Sequence, residues 1–194
     1  MSVRGGTPDL GYFVSGAYSD NKGAVETEYE KRLNLRANTT FRPHEDLLVQ
    51  FNSSLSQADY QQGQMGNSVT SIMMTGVRGQ RNYMSGRRDQ ETMWLLLSKS
   101  YVNDITRVTT GLSITYTPGS DFTHRLNVGY DYAQDDHEAD QAHCWLCPIG
   151  ITSDFSDFVA GGQLNKIYSK TVLGSIDYVG TLGFNMSDRM RNTL

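Results

Sequence analysis

Long apolar runs are missing from this chain of 194 residues. A membrane-spanning helix needs roughly 18 consecutive apolar residues, and the longest cluster, "MWLLL", falls far short. A helical membrane protein is therefore excluded. Cysteine is limited to Cys144 and Cys147, too few for a disulfide scaffold. Basic charge is scarce too: the net charge is −4, and no basic run is interleaved with aromatics, so no nucleic-acid partner is expected. There is no G-x-S-x-G, no phosphate-cradling glycine loop and no histidine placed with a nucleophile in a plausible pocket, so neither enzymatic activity nor a cofactor is expected. The opening "MSVRGGTPDLGY" lacks the apolar core of a secretion signal. If Met1 is the true start, that pattern suits a cytoplasmic chain.

Proline occurs only four times, whereas glycine (19) and tyrosine (11) are common, a balance that favours β-structure with turns. The stretch "RLNLRANTTF" alternates cleanly, with Leu33, Leu35, Ala37, Thr39 and Phe41 on one parity and Arg32, Asn34, Arg36, Asn38 and Thr40 on the other. Such a period of two is a β-strand. Reading by parity predicts strands over residues 11–18, 29–41, 47–57, 108–118, 122–132 and 164–185, with another beginning after "MSDRM". Residues 19–27 read as a hairpin loop, and "RPHED" and "PGSD" as tight turns, Pro43 ending its ladder for want of an N–H donor. Periodicity fails over residues 58–107 and 133–162, which read as long loops. The first carries a short helix with Met93, Leu96, Leu97 and Tyr101 at helical spacing. No linker divides residues 1–194, which form one continuous antiparallel, up-and-down sheet.

The apolar parity could face a protein core or lipid. The strands run about 11 to 20 residues, against about 5 to 6 in globular proteins and roughly 9 to 11 for tilted spanning strands. Short turns alternate with longer connections, the rhythm of an outer-membrane barrel. Aromatics on the apolar parity fall into two groups: Phe41, Tyr116, Phe122 and Phe184 beside short turns, and Tyr29, Tyr130, Tyr132 and Tyr168 towards the long loops. Tyr29 to Phe41 spans about 12 residues, or roughly 40 Å, which projects to about 30 Å at a 40° tilt, close to a bilayer band. Arg32, Arg36, Arg125, Asp131 and Asp177 on the other parity suit a wet lumen. Lys170 is an exception, a cation on the apolar parity of its strand, at the end where its stem can reach a headgroup region. A transmembrane β-barrel, with about six or seven strands read in this chain, is the reading that satisfies all three features; a soluble β-sandwich binding module is the alternative.

The segments "RGGTPDLGYFVSGAYSDNKGAV", "EYEKRLNLRANTTFRP", "FTHRLNVGYDY" and "SIDYVGTLGFNMSD" together resemble the middle barrel strands of TonB-dependent outer-membrane receptors, most closely the SusC/RagA type. The order and spacing of several strands carry this resemblance, and no catalytic fingerprint does. The resemblance implies a 22-stranded barrel with an N-terminal plug, in the outer membrane of a Gram-negative type of cell. It implies import of a bulky nutrient (a glycan, a peptide or a metal chelate) with energy passed on by TonB. Its implied partners are outer-membrane lipid, TonB through an N-terminal part, and a SusD-like surface lipoprotein. Plug, signal peptide and C-terminal closing strand are not recognised here, so the chain is expected to be a partial barrel domain. Another outer-membrane barrel, a porin or an adhesin, is the second membrane reading.

Two constellations fall in the irregular regions. "DDHEADQAHCWLC" packs His137, His143, Cys144 and Cys147 among carboxylates. A metal site wants a second ligand pair at set spacing, and a redox C-x-x-C wants a βαβ setting; neither is present. A local disulfide between Cys144 and Cys147, or free thiols, is the simpler expectation on an outer loop. "VRGQRNYMSGRRD" brings Arg81 and Tyr83 together with further arginines. These are candidates to grip an anionic or sugar ligand, although a charged loop contacting water or lipopolysaccharide is the simpler expectation. Arg32, Arg36, Arg125, Asp131 and Asp177 are the lumen-side candidates.

Overall fold

The computed structural model describes residues 1–63, 99–141, 162–187 and 190–193. Eight strands, β1 (Ser2–Gly6), β2 (Leu10–Lys22), β3 (Tyr29–His44), β4 (Leu47–Gln61), β5 (Lys99–Gly119), β6 (Phe122–Gln141), β7 (Gln163–Ser187) and β8 (Met190–Thr193), follow one another in chain order. Every neighbouring pair is antiparallel. The fold is all-β and up-and-down, in one sheet that does not close on itself. The six strands read from parity are β2 to β7, and β8 is the strand beginning after "MSDRM". β1 is an addition: "SVRGG" has too few apolar residues to show a period, and its ladder with β2 alone defines it.

All four short connections lie at one end of the sheet. At two of them the turn is tighter than the sequence suggests. β3 continues through Pro43 to His44, which pairs Leu47 across a two-residue turn, and β5 continues through Pro118 to Gly119, which pairs Phe122. Pro43 therefore does not end its ladder. Both prolines lie where the register shifts, between Phe41 and His44 and between Tyr116 and Gly119. A bulge needs one N–H fewer, so it tolerates the missing donor. Backbone bonds tie this end across strands. Asp9, Asp46 and Asp121 each offer a carbonyl to an N–H of the neighbouring strand, from Arg42 (2.7 Å), Thr117 (2.8 Å) and Gly183 (2.6 Å).

At the opposite end the strands run well past the expected limits. β4 reaches Gln61, β5 begins at Lys99, β6 reaches Gln141 and β7 begins at Gln163. The loops expected at residues 58–107 and 133–162 are correspondingly shorter. Tyr101 is not on a helix; it pairs with Ala139 in the β5–β6 ladder. Met93, Leu96 and Leu97 lie outside the described residues. The expectation failed because both faces are polar here: on β6, Gln134, Asp136, Glu138 and Asp140 alternate with Asp135, His137 and Ala139. Without hydropathy contrast a period of two is invisible, yet the β5–β6 register runs unbroken from Lys99↔Gln141 to Tyr116↔His124.

Register carries one face intact across the sheet, because directly paired residues project to the same side. One row reads Tyr12, Thr39, Phe51, Leu112, Val128 and Ile176, and the next towards the short turns reads Leu10, Phe41, Val49, Ile114, Leu126 and Tyr178. The apolar stretch covers residues 10–18, 33–41, 47–55, 108–116, 122–132 and 172–182, about nine to eleven residues on each strand. Nothing among the described residues covers it. Even on interior strands, Leu35 is 44% exposed, Phe51 39% and Val128 36%. Among the described residues, Ala58, on the other face, is the one buried hydrophobic side chain.

Aromatic rings gather at the short-turn edge of this face. His124 lies between Tyr116 (6.2 Å between centroids, stacked) and Phe122 (4.0 Å, edge-on), and its Nδ1 is 2.6 Å from the Tyr178 hydroxyl. At the far edge stand Tyr18, Tyr130, Tyr132 and Tyr168, and beyond it Tyr29 donates to Asp59 Oδ1 at 3.1 Å. Burial, and then that carboxylate, push the Tyr29 hydroxyl above its ordinary pKa. Two aromatic borders thus frame the band, as the alternation of Phe41, Tyr116 and Phe122 with Tyr130, Tyr132 and Tyr168 implied.

Candidate functional site

The opposite face is predominantly polar. Directly opposed residues on it read Ser15, Arg36, Ser54, Thr109, Asp131 and Leu173 in one row, and Gly11, Thr40, Gln50, Ser113, Asn127 and Asp177 four residues nearer the short turns. Hydroxyl and amide pairs stitch it together: Ser56 donates to Asn34 at 2.9 Å and Ser113 donates to Asn127 at 2.8 Å. The face offers hydroxyl, amide or charged groups on each of β2 to β7, with Ile167, Leu173 and Val179 of β7 as apolar interruptions.

Its strongest interaction centres on Asp131. Arg107 reaches from β5 with both Nε (3.2 Å) and Nη2 (2.6 Å), and Thr109 donates its hydroxyl at 3.1 Å. A forked guanidinium on a carboxylate fixes both side chains more tightly than a single contact. Asp131 shares a shallow hollow of about 680 Å³ with Arg36, Asn38, Asn52, Thr109 and Ser175. Gly111 faces Gly129 directly across β5 and β6, so bare backbone forms part of its floor. Arg36 has a weaker hold than Arg107: its Nε donates to Asn38 Oδ1 at 3.4 Å. The hollow therefore combines a carboxylate that Arg107 neutralises from outside it, one arginine with no carboxylate partner among the described residues, and a set of amides and hydroxyls beside Tyr130 and Leu173. Such a lining suits a hydrophilic solute passing over it.

The expected site residues divide by position. Arg36 and Asp131 meet in the hollow. Arg32 lies on the same face nearer the long connections and is held by Glu30 at 2.5 Å. Arg125 and Asp177 lie on that face towards the short turns, opposite Thr115 and Asn127 respectively. His137 is on β6 with its Nδ1 2.6 Å from Asn103 Oδ1 and its ring stacked at 6.4 Å on Tyr101. Among the described residues no three of His, Cys, Asp and Glu come together as metal ligands. Arg81, Tyr83, His143, Cys144 and Cys147 lie outside the described residues. Arg107 and Thr109 are the members that the sequence reading missed. Arg107 stood at the border of an expected loop, yet it falls two residues before Thr109, on the same parity of the same alternating run.

No family model matches this chain, and no curated protein matches it. Solved structures do. The structure of the RagAB peptide transporter superposes with a TM-score of 0.73 over 99% of this chain at 17% identity. That of the RagAB peptide importer in the "closed-closed" state gives 0.70 over 99% at 17% identity. This chain spans 22% of the length of each of those chains. At that identity the likeness is one of fold.

Proposed function

We propose that this chain is part of the barrel wall of an outer-membrane nutrient importer of the TonB-dependent, SusC/RagA type. One observation carries the reading: an apolar face about nine to eleven residues tall runs unbroken across six neighbouring strands, and no second layer covers it among the described residues. A soluble sandwich would bury that face against another sheet. Lipid is the covering the band's height fits, with the polar face and its hollow lining the solute path. Fold likeness to a peptide importer supports the transporter class and makes a peptide one candidate cargo beside a glycan or a metal chelate.

In this reading the wall works by contrast of its faces and performs no catalytic step. The apolar face dissolves in the bilayer core, and the strand ladder satisfies the backbone groups that lipid cannot. Arg36, the Arg107–Asp131 pair and the surrounding amides keep the passage wet and polar. TonB contributes energy through a separate N-terminal part, and a SusD-like lipoprotein is the surface partner. Fractionation of cells expressing the full-length protein tests this. Recovery in the outer-membrane fraction, with detergent needed for extraction and uptake that stops when TonB is deleted, is the expected result. A detergent-free monomer in the soluble fraction would overturn the reading.

A further inference from the structure

Lys170 is a cation that the alternation leaves on the apolar side of its strand, nearer the band than Lys166, and the role of barrel wall does not account for it. On β7 it lies directly opposite Gln134, one same-face position beyond Val172, where the apolar band ends. Its ammonium stands over the Tyr132 ring, 5.4 Å from the centroid. No carboxylate pairs with it among the described residues: Asp136, diagonal to it, instead accepts from the Gln134 amide at 2.9 Å. Lys166, two same-face positions further along, differs, since Glu138 holds it at 2.6 Å. Between the two lysines Tyr168 projects from the same face and is 63% exposed. The arrangement recurs at the same end of β3, where Lys31 stands over the Tyr29 ring at 5.3 Å.

We propose that Lys170, resting on Tyr132 and flanked by Tyr168, binds the phosphate of an anionic lipid headgroup at the long-connection edge of the bilayer. The inference rests on the reading that the apolar face meets lipid. A lysine at that depth keeps its stem along the band and its charge at the headgroup level. Contact with the ring leaves the ammonium without a charged protein partner, so its own charge is available to an anion. The neighbouring surface limits where that anion can sit. Asp59, Asp104 and Asp136 oppose one another directly across β4, β5 and β6 on the same face, and they repel a phosphate from the middle of the rim. Glu138 neutralises Lys166. Lys170 is left as the cation nearest the band with no carboxylate directly opposite it, since Lys31, equally near on β3, lies opposite Asp20 and Asp59.

The test uses the full-length protein in vesicles of mixed phosphatidylglycerol and phosphatidylcholine, with spin-labelled forms of each lipid reporting the motionally restricted fraction. Wild type is expected to favour phosphatidylglycerol. One lysine near a membrane surface corresponds to about a fivefold preference, so Lys170→Gln should lower the ratio about fivefold, Lys170→Arg should retain it, and Lys166→Gln should change it little. An unchanged ratio in Lys170→Gln, or an equal fall in Lys166→Gln, would refute the site. Loss of the wild-type preference in millimolar inorganic phosphate would make it a free-phosphate site and refute the lipid assignment. If no restricted lipid of either kind appears on any variant, the apolar face does not meet lipid, and the membrane reading falls together with the inference.

Discussion

The two halves of each long strand share one ladder and differ in everything else. Near the short turns, β5 and β6 present Leu112, Ile114, Leu126 and Val128 on one side and Ser113, Asn127 and Gly129 on the other. Towards the long connections the same strands present Asp104, Asp136 and Glu138 against Asn103, Asp135 and His137. Backbone pairing is indifferent to the change, since the register passes from one half to the other without a shift. The comparison shows that strand pairing and hydropathy are separable: hydrogen bonds set how far a strand runs, and side-chain contrast sets how much of it presents an apolar face. On this view the polar halves are the part that stands clear of the bilayer.

An arginine placed in each half breaks the comparison most directly. Val128 lies in mid-band on an interior strand, and Gln134 lies on the same face of the same strand just past the band. Val128→Arg should cost about 2–4 kcal/mol of folding free energy in bilayers, and Gln134→Arg about 0–1 kcal/mol. Reversible denaturant unfolding of the full-length protein in vesicles would measure both. Equal costs would mean that the band edge is misplaced or that the face does not meet lipid.

A smaller effect separates the two faces instead of the two halves. Leu35 and Asn34 are adjacent on β3, and Leu35 opposes Leu55 on the apolar side while Asn34 opposes Ser56 on the polar side. Leu35→Arg should reduce the amount of folded protein reaching the outer membrane, by about 1–3 kcal/mol because it lies nearer the band edge than Val128. Asn34→Arg should leave it nearly unchanged. Heat-modifiable mobility in detergent gels reports the folded fraction, and identical behaviour of the two variants would contradict the assigned faces.

What the sequence made legible follows the same division. Where one parity is apolar, as in "RLNLRANTTF" and "FTHRLNVGYDY", both the strand and its apolar face could be read, because a period of two in hydropathy is the physical signature of a half-apolar sheet. "DDHEADQ" hid its strand because a wet ladder asks nothing of its side chains. Pro43 and Pro118 misled for a related reason: a missing donor signals the end of a ladder unless a bulge absorbs it, and bulges leave no mark in composition. The candidate hollow was half visible. Parity put Arg36 and Asp131 on one face, but their proximity depends on the register of β3 through β6, which no single strand encodes. Arg107 was lost with its loop, and Asp131's partner with it.

That partner supplies the smallest expected effect. Arg107 and Asp131 lie on the polar face, with side chains 60% and 25% exposed, so water and salt screen their attraction. The forked geometry and the Thr109 hydroxyl nevertheless bind the two into one unit. Arg107→Gln and Asp131→Asn should each lower the thermal midpoint of the purified full-length protein slightly, and the double variant should lower it by no more than the larger single change, since either substitution already removes the pair. Raising the salt concentration to about 1 M, where the screening length falls to about 3 Å, should shrink the difference between wild type and each single variant. Additive losses, or losses insensitive to salt, would show that the two residues act separately. The wall's stability on its wet side would then owe nothing to this contact and would reside in the backbone ladder, as it does in the polar halves of the strands.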